Sequence, residues 1–87
     1  MHNDGVLSIV ISRQPIPVSR RKIGLAIRSR RDNLGISQER FAELADCHRN
    51  YVGLVERGEQ NLTLDGMVKF AKALKCKPSV ILIDAGL

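Results

Sequence analysis

Residues 37–58 read SQERFAELADCHRNYVGLVERG, and this stretch decides the fold. Ser37 is a favourable N-cap, so a helix is predicted over residues 38–45. Asp46 is one of the few residue types that tolerate the left-handed backbone of a tight turn. A second helix is predicted from residue 48 or 49 to Arg57, where a glycine ends it. The stretch therefore predicts two short helices joined by a tight turn.

Apolar residues give each of these helices an inner face. The predicted inner residues are Phe41, Ala42, Leu44 and Ala45 in the first helix, and Cys47, Val52 and Val55 in the turn and second helix. Ala42 is small, which allows the helices to cross closely at about 90–120°. The remaining side chains of the second helix are expected to point outward.

Three further helices are predicted around this pair. Ser19 is the expected N-cap of a helix that ends at Gly35. Thr63 is expected to cap a fourth helix, and Pro78 fits the first turn of a last helix that reaches about Asp84. In the first helix of the chain, the predicted apolar stripe contains Ile23, Ala26, Ile27 and Leu34. In the fourth helix it contains Leu64, Met67, Val68, Ala71 and Leu74, with Phe70 at its margin. The fold class is therefore an all-α, five-helix domain over residues 19–87.

The last helix is apolar all round, because residues 80–83 read VILI. A single buried stripe cannot use four consecutive apolar residues. Some of them are expected to form a homodimer interface, which also suits a chain too short for a large core. The predicted interface residues are Pro78, Val80, Ile81 and Ile83.

Residues 1–18 form an N-terminal arm. Residues 6–11 are rich in β-branched side chains and are typical of a short strand, whereas Pro15 and Pro17 stop any regular element. Two interpretations stay open. The arm is either flexible, or it is a strand that packs on the domain, on a dimer mate or on another protein partner.

Composition narrows the function classes. The 87 residues allow one domain, and aromatic residues make up 3%, so an aliphatic core is expected. Residues 19–37 hold six cations and one anion, which equals the whole net charge of +5 and is an electrostatic footprint for phosphate, although a solvated helix face gives the same pattern. No apolar stretch approaches the roughly 20 residues of a membrane span, and we expect a reduced cytoplasmic location.

The segment LGISQERFAELADCHRNYVGLVERGEQNLTLDGMVKFAKALKCKPS resembles the phage-repressor-like (Cro/repressor, XRE) helix-turn-helix family. The resemblance extends over roughly residues 20–84, with Gln38, Ala42 and residues 56–58 in register. Asp46 departs from the glycine common in the family. Within the family, the NLTLDGMVKFAKAL segment and the small size are most similar to restriction–modification controller proteins.

The resemblance implies a sequence-specific DNA-binding transcriptional regulator that acts as a homodimer on paired operator half-sites. It places residues 48–57 in the major groove of double-stranded DNA. The implied base-reading residues are His48, Arg49, Asn50, Tyr51 and Leu54, and the implied phosphate-binding residues are Ser37, Gln38, Arg57, Gln60 and Asn61. Arginine pairs with guanine and asparagine with adenine.

The resemblance also implies an ion pair between Arg31 and Glu56 that ties the first helix to the third. The alternative for Arg31 is a cation that faces phosphate. If the pair is half-buried, its role is structural, because it would set the angle of the recognition helix.

Two other function classes were weighed. Cys47 lies beside His48, but adjacent residues at a helix start point in different directions, and the two cysteines and two histidines lack zinc spacing, so neither an enzyme nor a metal or other cofactor is expected. An antitoxin-type interaction module that also binds its operator is the alternative, with residues 6–11 as the docking strand.

Overall fold

The computed structural model describes residues 16–87. Five helices follow one another: α1 Val18–Asn33, α2 Gln38–Leu44, α3 Arg49–Glu56, α4 Leu64–Ala73 and α5 Pro78–Asp84. The described part of the chain contains no strand, so the predicted all-α class is confirmed. Residues 1–15 of the arm, with the strand predicted at residues 6–11, lie outside the described residues, and the last residue of the arm, Val18, already belongs to α1.

Side-chain caps begin α2 and α4 as predicted. The Ser37 hydroxyl accepts a hydrogen bond from the Arg40 backbone N–H at 3.0 Å, and the Thr63 hydroxyl accepts one from that of Gly66 at 3.0 Å. The start of α1 differs from the prediction, since Pro17 is the N-cap and Ser19 lies inside the first turn. A proline suits this position because the first helical N–H groups have no partner within the helix.

The turns also follow the sequence. Asp46 adopts a left-handed φ of 54° in the turn between α2 and α3, and Gly58 ends α3 with a φ of 75°. Lys75 occupies the same conformation after α4, with a φ of 60°, which the sequence did not predict. A lysine carries no signal for this backbone conformation, which is uncommon outside glycine, asparagine and aspartate.

The core is mainly aliphatic, as expected, and a pair of phenylalanines lies within it. Phe41 and Phe70 are 0% and 1% exposed, and their rings meet edge to face with centroids 4.8 Å apart. Tyr51 packs edge to face against the other side of this pair, 5.8 Å from the Phe70 ring. Although aromatic residues are few, all three lie together where they bury the most area.

The inner face of α4 is rotated from the predicted stripe. Leu64 and Val68 are 77% and 50% exposed, whereas Phe70 is buried together with Met67 and Ala71. Leu44 and Leu34, also predicted as inner residues, are nearly half exposed at the ends of their helices. Both stripes of α4 satisfy helical spacing, so only the packing partner selects between them.

Helix α1 packs against α3 and α5, while α2 packs against α3, and α4 against α5. The described helices include none that is long and apolar enough to cross a membrane. This arrangement leaves one face of α3 and one face of α5 exposed at the surface. These two faces are the candidates for contact with other molecules.

Candidate nucleic-acid interface

The outward face of α3 presents polar side chains. Arg49, Asn50, Leu54 and Arg57 surround Gly53 along a shallow groove. The opposite face of the helix is buried through Val52 and Val55, which are 0% and 2% exposed. Arginine and asparagine supply the bidentate donors and acceptors that distinguish base pairs in a major groove. The geometry therefore offers a surface that reads base edges.

His48 begins α3 as its N-cap. The ring Nδ1 accepts a hydrogen bond from the Asn50 backbone N–H at 3.1 Å, and the side chain is exposed. This bond satisfies one of the donors that a helix start leaves without a partner. Only Nε2 is then available to an external group, so the histidine has a structural role that its predicted base contact did not include.

A buried network holds α3 against α1 and α2. Arg31 Nε donates to Glu56 Oε2 at 2.6 Å, and Arg31 Nη2 donates to Glu56 Oε1 at 3.0 Å. Arg31 Nη1 donates to the Ile36 carbonyl at 2.9 Å. The two residues are 8% and 5% exposed, so Arg31 is not accessible to a phosphate. The hydrogen bonds to Glu56 raise the pKa of Arg31, which remains charged.

Gln38 belongs to the same network. Its Nε2 donates to Glu56 Oε1 at 3.0 Å, and the side chain is half-buried. The side chain that was expected at a phosphate is therefore bonded within the protein, and the hydroxyl of its neighbour Ser37 accepts the capping bond of α2. The predicted contacts of Ser37 and Gln38 with DNA therefore depend on the O–H and N–H groups that these two hydrogen bonds do not use.

Two glycines that the sequence reading passed over position the recognition surface. A Cβ at Gly24 would lie 2.4 Å from the Val55 carbonyl oxygen and 2.5 Å from that of Glu56, so α1 approaches α3 more closely than any side chain permits. A Cβ at Gly53 would lie 3.1 Å from Arg57 Nη1. A glycine inside a helix costs stability relative to alanine, and that cost was the available signal for a close approach.

Tyr51 turns inward. It packs on Phe70, and its hydroxyl lies near Thr63 and Gly66 at the start of α4. Burial raises the pKa of its hydroxyl, an effect that the Thr63 backbone partly offsets. Of the five predicted base-reading residues, the structure brings Arg49, Asn50 and Leu54 together on one surface and places Tyr51 in the scaffold.

The amino end of α1 lies beside the loop that follows α3. Arg20, Gln60 and Asn61 line one small cleft, and a Cβ at Gly58 would lie 3.0 Å from the Arg21 Cα atom. Two predicted phosphate-binding residues are thus brought next to cations 40 residues earlier in the chain. The sequence could not show this proximity, because it depends on how α1 crosses α3.

The basic segment of α1 is divided between two tasks. Within residues 16–87, Arg28 lies 3.9 Å from Asp32, Arg30 pairs with Asp84 of α5, and Arg31 pairs with Glu56. At the amino end of the helix, Arg20 and Arg21 lie beside the loop after α3, whereas Lys22 lines a cleft with Arg30 and Asp84 on the side of α5. The predicted phosphate footprint is therefore smaller than the six charges suggest.

The side chains of α5 differ sharply in exposure. Ile81 is 0% exposed in the core of the chain itself, which corrects its assignment to an interface between copies. Ile83 is 70% exposed, and Pro78 and Val80 are half-buried. An apolar side chain as exposed as Ile83 is a candidate contact for a second chain.

The cysteines show no sign of a reactive or metal-binding site. Cys47 and Cys76 are both half-buried, and burial raises the pKa of the Cys47 thiol, which disfavours the reactive thiolate. No group of three or more potential metal ligands comes together in the part of the chain that the structure describes.

Comparisons with known proteins place this geometry among regulators. Residues 27–81 match a family model described as helix-turn-helix. The control protein C.SmaI of Serratia marcescens is 43% identical over 61 residues, which are 70% of this chain and 73% of that protein.

Two solved structures are similar in fold as well. The restriction-modification controller protein C.AhdI from Aeromonas hydrophila has a TM-score of 0.70 and 40% identity, over 71% of this chain and 94% of that chain. The clp gene regulator ClgR from Corynebacterium glutamicum has a TM-score of 0.77 and 28% identity, over 83% of this chain and 77% of that chain.

Proposed function

This chain belongs to the XRE-type helix-turn-helix family of DNA-binding transcription regulators, and we propose that it reads a paired operator as a symmetric homodimer. The resemblance to phage-repressor-like regulators, and the closer likeness to controller proteins, are confirmed. The operator contacts, the dimer and the role of each side chain are the content of the proposal.

The observation that carries the proposal is the asymmetry of α3. Two buried valines and the Arg31–Glu56 pair fix one side of the helix, while Arg49 and Asn50 remain exposed on the other. A rigid helix with exposed directional donors suits recognition, because the side chains need no reordering of the backbone before they meet base edges.

We assign Arg49 to a guanine and Asn50 to an adenine, since these pairs match in donors and acceptors. Leu54 offers an apolar contact to a group such as a thymine methyl. The phosphate contacts are assigned to Arg57, to Gln60 and Asn61 in the adjoining loop, and to the cations at the amino end of α1. Tyr51 receives no DNA contact, because it packs in the scaffold.

A homodimer follows from the size of the reading surface. Helix α3 has eight residues and is therefore about 12 Å long, enough for only a few base pairs in one groove. Two copies related by a two-fold axis read half-sites about 34 Å apart on one side of the duplex. Ile83 is the proposed centre of the interface, with Pro78 and Val80 beside it.

The proposal gives the chain no catalytic role. The relatives are transcription regulators, and the raised pKa of Cys47 argues against a thiolate nucleophile. A regulator of this kind acts on DNA in the cytoplasm. The antitoxin alternative rested on residues 6–11, which lie outside the described residues, and no described contact favours it.

Selection of bound duplexes from random sequence, followed by footprinting, tests the proposal. We expect an enriched motif with two-fold symmetry and two protected half-sites about one helical turn apart. Sedimentation of the selected complex should give two chains per duplex. Failure to enrich any motif, with binding equal on all duplexes, would contradict sequence-specific recognition; a single protected half-site with one chain bound would contradict the dimer.

A further inference from the structure

Two arginines of the proposed recognition surface each have a carboxylate beside them. Arg49 Nε lies 3.8 Å from Oε2 of Glu39, which is in the first turn of α2. Arg57 Nε lies 3.3 Å from Oε1 of Glu59 in the loop after α3. The four side chains are 45–70% exposed. Negative charge is thus placed next to the groups that would meet DNA.

Stability does not account for these pairs. Exposed ion pairs contribute little to folding, because water screens the charges and two long side chains must be ordered. A surface that only needed affinity for phosphate would leave the arginines without acidic neighbours, since nonspecific binding depends on cationic charge. The position of the carboxylates opposes such affinity.

We propose that Glu39 is a specificity-determining residue that weakens the binding of random DNA more than that of the operator. The inference rests on the proposed function, because it concerns the same recognition surface. Its carboxylate offsets the charge that Arg49 presents to a phosphate backbone, which disfavours the many wrong sites. Glu59 acts on Arg57, which is assigned to a phosphate in the operator as well, so its charge weakens the binding of both kinds of DNA.

The atoms involved explain why the operator is affected less. In both pairs the nearest arginine atom is Nε, which leaves the terminal Nη groups for other acceptors. Two terminal N–H groups match the O6 and N7 acceptors of guanine. Glu39 therefore lies on the Nε side of the Arg49 guanidinium, where its charge opposes phosphate contacts without occupying the terminal groups that would read a base.

Glu43 supplies a matched control. It lies in the same helix as Glu39 and forms an exposed pair with Arg40 at 3.1 Å, away from the α3 groove. Glu39→Gln, Glu59→Gln and Glu43→Gln each remove one negative charge and change the net charge of the chain equally. Only the first two remove a neighbour of Arg49 or Arg57.

The experiment measures Kd by fluorescence anisotropy for the selected operator and for a shuffled duplex of the same length, in the same salt. We expect Glu39→Gln to bind the shuffled duplex about three- to fivefold more tightly and the operator with little change, whereas Glu59→Gln should bind both duplexes more tightly to a similar degree. The ratio of the two affinities should fall only for Glu39→Gln, and Glu43→Gln should keep the wild-type ratio. Melting temperatures check that all three variants fold.

A double-mutant cycle separates an action through Arg49 from a general charge effect. In the Arg49→Ala background, Glu39→Gln should leave the ratio unchanged, since the group on which it acts is missing. A wild-type protein that discriminates between the duplexes, with a ratio that Glu39→Gln preserves, overturns the inference alone. A wild-type protein that binds both duplexes equally overturns the proposed function, and the inference with it.

Discussion

Helix α2, the turn after it and α3 form one helix-turn-helix unit, and α4, its turn and α5 form a second with the same backbone. Asp46 and Lys75 adopt the same left-handed conformation in the two turns. The next residue in each turn is a cysteine, whose N–H donates to an alanine carbonyl five residues earlier, at 3.0 Å from Cys47 and 2.9 Å from Cys76.

The two units differ in what their second helix exposes. Helix α3 shows charged and amide side chains such as Arg49 and Asn50, whereas α5 shows the apolar Ile83. The shared backbone therefore does not determine the partner. The outer side chains of the second helix do, and in our proposal they direct one unit to DNA and the other to a second copy of the chain.

Two neighbouring arginines of α1 form ion pairs with α3 and α5, the second helices of the two units. The two pairs differ in burial. Arg31 holds α3 through Glu56, and these side chains are only 10% and 2% exposed. Arg30 holds α5 through Asp84, and both side chains are about one-third exposed. The buried attachment belongs to the helix that, in our proposal, reads bases.

The largest expected effect comes from breaking the buried attachment. Glu56→Ala should lower the free energy of unfolding by about 3–5 kcal/mol, because it leaves Nε and Nη2 of the buried Arg31 without an acceptor and only the exposed Asp32, 3.4 Å from Nη1, to offset its charge. Urea unfolding followed by circular dichroism measures the change. Glu43→Ala, which breaks an exposed pair, is the control and should unfold at nearly the wild-type urea concentration.

A double substitution tests the cause. Replacing both Arg31 and Glu56 by methionine removes the stranded charge, and it should restore much of the stability lost in Glu56→Ala. If Glu56→Ala is no less stable than the Glu43→Ala control, the pair does not hold α3 as we argue.

Gly24→Ala should have the next largest effect, and its sign is informative. In an exposed helix this change stabilises by up to about 1 kcal/mol. Here the new Cβ would collide with the Val55 and Glu56 carbonyl oxygens, so we expect destabilisation of about 1–3 kcal/mol in the same unfolding assay. Ser29→Ala on the exposed side of α1 is the control. A more stable Gly24→Ala protein would show that α1 and α3 are further apart.

Arg49→Ala tests the outer face of the first unit. Operator binding should weaken by about 1–3 kcal/mol per lost base contact, with the melting temperature nearly unchanged because the side chain is exposed. Fluorescence anisotropy measures the affinity, and Arg40→Ala on α2 serves as the charge-matched control. Equal losses in the two variants would assign Arg49 to general charge attraction and not to base reading.

Ile83→Asp tests the outer face of the second unit. Placing a charge at the proposed interface should give a monomer in sedimentation at micromolar concentration, and it should weaken operator binding about tenfold because the second half-site no longer adds affinity. Leu44→Asp, at an apolar residue on α2 that is 45% exposed, should remain a dimer. A dimeric Ile83→Asp protein would move the interface away from α5.

Asp84→Asn should have the smallest effect, since the Arg30 attachment is partly in water. We expect a far smaller fall in stability than for Glu56→Ala in the same assay. Similar losses of stability in the two variants would show that the Arg30–Asp84 and Arg31–Glu56 pairs contribute equally, contrary to our argument.

Local chemistry made much of this structure predictable. The caps at Ser37 and Thr63, the turn at Asp46 and the end of α3 at Gly58 each depend on a few consecutive residues, and all were read correctly. Arg49 and Asn50 were predicted from the resemblance to the helix-turn-helix family, and both are exposed at the groove of α3.

The errors share one origin. Leu64 and Val68 were expected on the buried face of α4 and are exposed. Ile81 was expected at an interface between copies and is buried in the core. Each question depends on which neighbour a helix face meets, and periodicity allows more than one face to be apolar.

The sequence by itself determined the helices, the turn at Asp46 and the basic and polar character of the proposed recognition surface, because these follow from backbone preferences and side-chain chemistry within a few residues. Only the tertiary structure decided the close approach at Gly24, the burial of Arg31 beside an exposed Arg30, and the pairing of Glu39 with Arg49. Those features depend on distances between helices that packing alone sets.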